Sequence, residues 1–470
     1  MVKTIYTALA ITAITLAAAR AAQNEHTGPS VNFEHGKLAV SPDHRYLVHA
    51  DGTPFFYLGD TAWQLFARLD RDESARYLEN RRAKGFTVIQ AVVLAELDGL
   101  NTPNANGDRP LIDNDPARPH EAYFKHVDAV VELAKTKGLY IGMLPTWGDK
   151  VTKAWGVGPV VFNEQNAEQY GRFLGQRYKD CPNIIWILGG DRVADNVEPV
   201  WRAMARGIKA AGDDHLMTYH PQGTRTSADW FHNDAWLDFN MLQSGHGRLD
   251  GDNYRLIEID YRRTPVKPCF DGEPRYENHP VKWESDKGWF NDFDIRQAAY
   301  WALLAGAFGH TYGCHDIWQM KSPKWPPVSA ARGNWVESMD LPGAAQMLHV
   351  RRLIESRPML SRVPDQSLIR AGQQDGGRHL RAARGDGYLI VYTPYGDAFQ
   401  INDESLSGTK RTAWWFNPRT GQAEKLADFD RGQAPDFDPP GDPARGSDWL
   451  LVIDNPEKNF PPPGALPADD

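Results

Sequence analysis

From Phe55 onward, short apolar runs alternate with longer stretches of helical periodicity, the pattern of a parallel α/β architecture. Eight runs read as strands: Phe55 to Asp60, Thr87 to Leu94, Tyr140 to Trp147, Ile184 to Gly189, Met217 to His220, Phe239 to Gln243, Val266 to Asp271 and Gly309 to Gly313. Between them, Asp72 to Lys84, His120 to Lys137, Glu164 to Tyr178, Val197 to Ala211 and Ile295 to Ala305 carry helical patterns, several of them ending at a glycine. Eight strands with intervening helices predict a (β/α)8 barrel. An open doubly wound sheet is the main competitor, but no glycine-rich phosphate loop follows the first strand and there are more elements than one such sheet needs.

Ahead of the barrel, Leu38 to Val40, Tyr46 to Gly52 and the start of the first run predict an opening hairpin, so the first domain is expected over residues 33–360. After a helical stretch from Ala344 to Ile354 the pattern changes to short strands separated by Gly, Asp and Pro clusters, including Tyr388 to Thr393, Thr412 to Phe416 and Trp449 to Ile453. This predicts a small antiparallel β-sandwich over residues 365–455, followed by an extended or frayed Pro-rich tail over 456–470. Residues 1–22 have a basic start, a short apolar middle and a small-residue end, Ala19-Arg-Ala-Ala22, and predict a cleaved secretory signal. The expected location is therefore secreted or periplasmic, with no membrane association after cleavage.

Two carboxylates stand out against this frame. Asp191 closes Asn183-Ile-Ile-Trp-Ile-Leu-Gly-Gly-Asp191, and Glu273 follows Cys269-Phe-Asp-Gly, each where an apolar run breaks into glycine. By the strand count they follow the fourth and seventh strands, at the C-terminal face on which barrels build active sites. Many retaining glycosidases on such barrels place the acid/base and the nucleophile there, and paired carboxylates suit glycosidic-bond hydrolysis. Glu96 and Asp149 are weaker rivals because they lack that glycine-flanked context.

Other strand ends supply groups able to hold a sugar: Asp60, Trp63, Gln90, Trp147, His220, Gln243, His246, His310, Tyr312 and Trp318. Aromatic rings can cover the apolar face of a sugar, while amides, imidazoles and carboxylates bond its hydroxyls. Asp60 could equally orient a partner or cap the next helix.

Composition narrows the function classes. The chain of 470 residues has 61 acidic and 52 basic side chains, a net charge of -9, and no Lys/Arg block of the kind that tracks a phosphate backbone, so nucleic acid is not an expected partner. Three cysteines, Cys181, Cys269 and Cys314, imply no disulfide framework, though one bridge is compatible with them. His310, His315 and Asp316 cluster without a metalloprotease spacing, and no Gly-x-Ser-x-Gly elbow occurs, so no metal or cofactor is expected.

Several blocks together resemble one family. Gly59-Asp-Thr-Ala-Trp63, Gly85-Phe-Thr-Val-Ile-Gln90, the Asn183 to Asp191 run, Asp271-Gly-Glu-Pro-Arg-Tyr-Glu277 and Ala305-Gly-Ala-Phe-Gly-His-Thr-Tyr-Gly313 are similar to the apiosidase-like glycoside hydrolases, family 140. Trp414-Trp-Phe-Asn-Pro-Arg-Thr-Gly421 resembles the domain that accompanies that barrel under a "collagen-binding" label. The resemblance implies an enzyme that removes apiose-linked side chains from pectic rhamnogalacturonan-II, with Asp191 as acid/base and Glu273 as nucleophile. The alternatives are a hydrolase of the same fold acting on another furanoside or glycan, and a non-catalytic glycan-binding protein. The expected partner in each case is an oligo- or polysaccharide.

Overall fold

The structure, a computed structural model, describes residues 25–466, so the expected leader over 1–22 lies outside the described residues. Its central sheet has nine strands. Eight are parallel and follow one another in chain order: β1 (Tyr57–Thr61), β2 (Val88–Leu94), β3 (Tyr140–Thr146), β4 (Ile184–Gly189), β5 (Met217–His220), β6 (Asn240–Gln243), β7 (Cys269–Asp271) and β8 (Gly309–Tyr312). A two-residue strand, Arg225–Thr226, pairs antiparallel with β6 at one edge. The order β5-β4-β3-β2-β1-β8-β7-β6 rolls the sheet into a nearly closed barrel. Across the remaining gap the Asp238 N–H donates to the Met217 carbonyl at 2.9 Å, and Thr218 Oγ1 donates to the Phe239 carbonyl at 2.6 Å.

The strands are apolar on both faces because both are covered: all seven residues of β2 and all seven of β3 are buried. Outside lie α1 (Arg71–Ala83), α2 (Glu121–Thr136), α3 (Glu164–Tyr178), α4 (Glu198–Ala210), α5 (Asn253–Tyr261), α6 (Asp292–Leu304) and α7 (Pro342–Glu355). Their starts are set by local chemistry. Asp70 and Glu73 form a reciprocal capping box on α1, Asn163 and Asn166 one on α3, and Asn291 and Asp294 one on α6. On α2, Tyr123, Phe124, Val127, Val130, Val131 and Ala134 are buried at the three- and four-residue spacing of one apolar stripe. The link between β5 and β6 carries only a four-residue helix, Ala228–Phe231, and that is where the sheet fails to close.

Inside the barrel, Tyr57, Phe239, Phe270 and Phe308 form an aromatic floor, with Tyr57 and Phe270 centroids 4.6 Å apart and Phe270 and Phe308 centroids 5.1 Å apart. Above the floor Gln90 crosses the interior, donating to Thr311 Oγ1 at 2.8 Å and to the Gly272 carbonyl at 3.1 Å. Gln90 is thus a strut beneath the barrel mouth and does not line it.

Alternation along the strands disposes of three other candidates. In β1 and β8, Tyr57, Gly59 and Thr311 face inward, so Asp60, His310 and Tyr312 face the helices. Asp60 Oδ2 accepts from Tyr77 Oη and Arg81 Nε of α1, both at 2.5 Å, with the carboxylate and the guanidinium fully buried. Burial pushes the Asp60 carboxyl up while Arg81 and Tyr77 pull it down. Tyr312 donates to Glu277 Oε2 at 2.7 Å. His310 is fully buried, and neither of its ring nitrogens has a partner in the protein. The proximity of these three to strand ends in sequence suggested the mouth; the face on which they lie removes them from it.

The C-terminal part is an antiparallel β domain, as expected. It is a six-stranded antiparallel sheet in the order Val363–Pro364, Arg381–Gly385, Tyr388–Thr393, Trp449–Asp454, Lys410–Asn417 and Gln422–Asp430, beside a two-stranded ribbon of Ile369–Ala371 and Gln400–Ile401. Leu389, Val391, Trp415, Leu451 and Ile453 pack under that ribbon, whereas Ile390, Tyr392, Phe416, Leu450 and Val452 belong to the barrel's own core. Arg296 of α6 holds Asp448 through two hydrogen bonds of 2.9 and 2.7 Å, and Arg357, just after α7, holds Asp454 through another 2.9 and 2.7 Å pair. The described part of the tail is docked rather than frayed. Arg357 lies 5.0 Å over the Phe460 ring, and the Gly464 N–H donates to Ser356 Oγ at 3.1 Å. All three cysteines are free thiols.

The Asp60–Arg81 pair ties a barrel strand to its first long helix with both charges out of water, so removing one partner leaves the other uncompensated. Asp60→Asn is expected to lower the unfolding free energy by about 3 kcal/mol in urea titrations. A loss below about 1 kcal/mol, the scale of an exposed pair, would show that this contact does not anchor α1.

Candidate active site

The C-terminal ends of the strands surround a cavity of about 560 Å³. Asp191 and Glu273 both line it, as do Trp63, Trp147, Gln243, His246 and Trp318. A larger cavity of about 780 Å³, between α7, the hairpin around Gly421 and the tail, has Glu424 as its one carboxylate among the described residues and lies away from the barrel mouth.

Asp191 is placed by the two glycines before it. Gly189 and Gly190 have φ of 92° and 127°, and Asp191 itself is left-handed at 53°. A Cβ on Gly189 would meet the His220 carbonyl at 2.4 Å, and one on Gly190 the Gly148 nitrogen at 2.7 Å. No other residue type lets the end of β4 turn this tightly between β3 and β5. A left-handed aspartate at the turn is the sort of strain that functional sites retain. Glu273 is fixed from the next loops: Asp271 accepts from Ser244 Oγ at 2.6 Å and Asn253 Nδ2 at 3.0 Å, and the Gly245 N–H donates to the Glu273 carbonyl at 3.0 Å.

Two imidazoles hold the Glu273 carboxylate. His246 Nε2 donates to Oε1 at 3.1 Å, and His220 Nε2 lies 2.7 Å from Oε2. The His220 N–H is not aimed straight along that line, so this second contact is more electrostatic than a formed hydrogen bond. His220 Nδ1 accepts the backbone N–H of Asp191 at 3.1 Å. That bond leaves the ring proton on Nε2, facing Glu273.

The environments push the two acids apart. Burial and then the neighbouring Glu273 charge raise the Asp191 carboxyl to about 6, against the pull of His220 and Arg192. Burial acts to raise Glu273 as well, but the two imidazoles, His220 and His246, outweigh that and hold it down to about 2. Between those values one carboxyl keeps its proton while the other is ionised, the division of labour that two-carboxylate chemistry requires.

Around the pair, Trp63 and Trp147 form one wall with the His220 ring packed behind it, Trp63 lying 5.3 Å from each of the other two. Trp147 Nε1, Gln243 Oε1 and His246 Nδ1 have no partner within the protein, the kind of vacancy that a polyhydroxylated occupant can fill. His220 does not line the cavity but links the two acids from behind, while Asp60, Gln90, His310 and Tyr312 stay outside it. Four acidic or aromatic lining residues were not among the sequence candidates for binding. Glu96, passed over as a rival acid, sits two residues beyond β2, where burial and then Asp191 and Asp149 push its carboxyl up to about 8. Tyr276 follows Glu273 by three residues, a spacing that could have flagged it. Trp155 and Trp283 sit in loops with no strand-end signal.

A nearly closed parallel barrel with one protonated and one ionised carboxyl at its mouth is the arrangement of a glycoside hydrolase. Comparison with known proteins agrees. The family described as "Apiosidase-like, catalytic domain" matches residues 41–361, and the one described as "Putative collagen-binding domain of a collagenase" matches residues 363–454. A solved structure named "Glycoside hydrolase" is 37% identical, with 91% of this chain and 98% of that one covered and a TM-score of 0.86. A glycoside hydrolase family 5 structure from Bacteroides vulgatus ATCC 8482 is also 37% identical, covering 93% and 97%, with a TM-score of 0.87. No curated protein matches the chain. The chain belongs to the apiosidase-like catalytic family.

Because the Glu273 charge helps to raise Asp191, neutralising it should release the aspartate. In Glu273→Gln, the Asp191 carboxyl is expected to titrate clearly below about 6, as read by carbon NMR of the labelled side chain. An unchanged or higher titration point would mean that burial alone sets it.

Proposed function

We propose that this protein is an exported retaining glycoside hydrolase of apiosidase type, one that releases apiose-linked side chains from pectic rhamnogalacturonan-II. The observation that carries the catalytic reading is the contrast between Asp191, raised to about 6, and Glu273, held near 2, at the mouth of one cavity. We read the nearly closed sheet as a (β/α)8 barrel, which puts these acids after the fourth and seventh strands. The family match and the apolar cavity wall support the substrate class, and the leader pattern over residues 1–22 supports export.

Glu273, ionised and oriented by two imidazoles, attacks the anomeric carbon. Asp191 gives its proton to the departing oxygen, and the bonding pair of the broken C–O bond stays with that oxygen. In the second half Asp191, now a carboxylate, takes a proton from water as the water attacks the glycosyl ester, and Glu273 leaves as the free carboxylate. Trp63, Trp147 and Trp318 offer apolar faces to the sugar, and Gln243 and His246 offer polar atoms to its hydroxyls. Metal and cofactor have no role in this scheme.

Glu273→Ala should abolish turnover of pectic oligosaccharides, and added azide should restore release as a glycosyl azide of inverted configuration. Undiminished hydrolysis by this variant would falsify the assignment of the nucleophile.

The pH profile gives a second check. The reaction needs Glu273 ionised and Asp191 protonated, so kcat/KM should be level through the mildly acidic range and fall above about 6. Asp191→Ala should cost on the order of 10²–10⁴ in rate with poor leaving groups and far less with activated aryl ones. Equal losses on both would remove Asp191 from the acid's role.

A further inference from the structure

The tryptophans of the cavity fall into two groups by exposure. Trp63, Trp147 and Trp318 are 2%, 3% and 4% exposed, whereas Trp155 and Trp283, which line the same cavity, are 44% and 50% exposed. An indole left half in water contributes little to packing, so two of them at one mouth call for an occupant. They also come from opposite sides. Trp155 is in the loop after β3 and Trp283 in the loop after β7, the third and seventh of eight strands around the ring.

Neither ring is loosely placed. Lys282 and Trp283 have consecutive left-handed backbones, with φ of 58° and 65°, a conformation that non-glycine residues avoid. This turn is pinned to the catalytic apparatus: the Lys282 N–H donates to the carbonyl of His246 at 2.8 Å, and the Trp283 ring stands edge-on to His279 at 4.4 Å, itself stacked on His246 at 4.3 Å. Across the mouth, Arg192 lies 4.1 Å from the Trp155 ring centroid and donates to the Trp155 carbonyl. Trp155 Nε1 donates to Asp191 Oδ2 at 3.2 Å. Strain and tethering thus hold each indole at the entrance instead of letting it fold onto the surface.

We propose that Trp155 and Trp283 form a leaving-group subsite, a pair of aromatic faces that receives the ring of the departing sugar, and that the Trp155 N–H fixes which oxygen of Asp191 delivers the proton. The proposal rests on the assignment of Asp191 as acid and Glu273 as nucleophile. A saturated sugar ring presents apolar C–H faces, and an indole covers one of them while its hydroxyl edge stays in water. Since Oδ2 already accepts an N–H, the acidic proton of Asp191 sits on Oδ1. When the C–O bond to the leaving group breaks, that proton passes from Oδ1 to the leaving oxygen, and the carboxylate that remains keeps the Trp155 hydrogen bond. The three buried tryptophans are left for the sugar that is attacked.

The test compares two glycosides of the sugar that the wild-type protein releases from pectic oligosaccharides, one with a methyl and one with a cyclohexylmethyl leaving group, alcohols of similar acidity that differ in offering a ring. Trp283→Leu is expected to lower kcat/KM for the cyclohexylmethyl glycoside about tenfold, the scale of one lost stacking contact, with the methyl glycoside little changed. Trp283→Phe, which keeps a ring, should recover most of the preference and guards against a folding defect. Trp155→Phe keeps a ring but loses the N–H that stabilises the Asp191 carboxylate, so the alkaline limb of its pH profile should move upward from about 6. Equal losses on both glycosides for Trp283→Leu, or an unmoved limb for Trp155→Phe, would each overturn the corresponding half of the proposal. If wild-type protein hydrolyses none of the pectic oligosaccharides, the functional reading fails on that result. The subsite is then judged by calorimetry with the pectic oligosaccharides: about tenfold weaker binding by Trp283→Leu sustains it, and unchanged or absent binding overturns it.

Discussion

One imidazole organises the mouth of the barrel. His220 accepts the backbone N–H of Asp191 on one nitrogen and turns the other toward Glu273. The ring therefore ties the paired ends of β4 and β5 to the loop after β7, a strand that is a ladder neighbour of neither. Its tautomer is dictated by a main-chain donor, which does not titrate, so the N–H presented to Glu273 is built into the fold. The low proton affinity of Glu273 and the charge it lays on Asp191 depend on that orientation, and that charge adds to the burial that raises Asp191. His246 adds a second donor, but it approaches from the side of the glutamate alone.

The barrel was legible because its strands are buried on both faces and so appear as unbroken apolar runs bounded by turn residues. All eight expected runs contain a strand, including the short ones at β5 and β6. What the runs could not tell was which face a residue takes at a strand end. Asp60, His310 and Tyr312 sit at such ends yet face the helix layer, and a one-residue offset in a period-two element is enough to exchange cavity for helix layer. Gln90 faces inward but one level too low. Asp191 and Glu273 escaped this ambiguity because each follows a glycine beyond its strand, where the chain has already left the pleat.

The remaining gaps concern loops. Trp155 and Trp283 lie eight or more residues from the strands that carry them, and nothing local announces that these stretches fold back over the mouth. Glu96 lacks a flanking glycine, yet burial and then the nearby Asp191 and Asp149 raise its carboxyl to about 8. In the C-terminal region the strands were readable, but their pairing into one six-stranded sheet with a ribbon depends on contacts with α6 and α7 that have no local signature.

That C-terminal sheet spends one face on the barrel's core and is clamped by two bidentate arginine–aspartate pairs. A module hung on a flexible linker can sweep a polymer and raise the local concentration of its catalytic partner over a range of angles. This one has no such freedom. Any surface it offers to a polysaccharide is presented at a fixed bearing to the barrel mouth, so the pair would act as a calliper that measures the distance along a chain between what is held and what is cut.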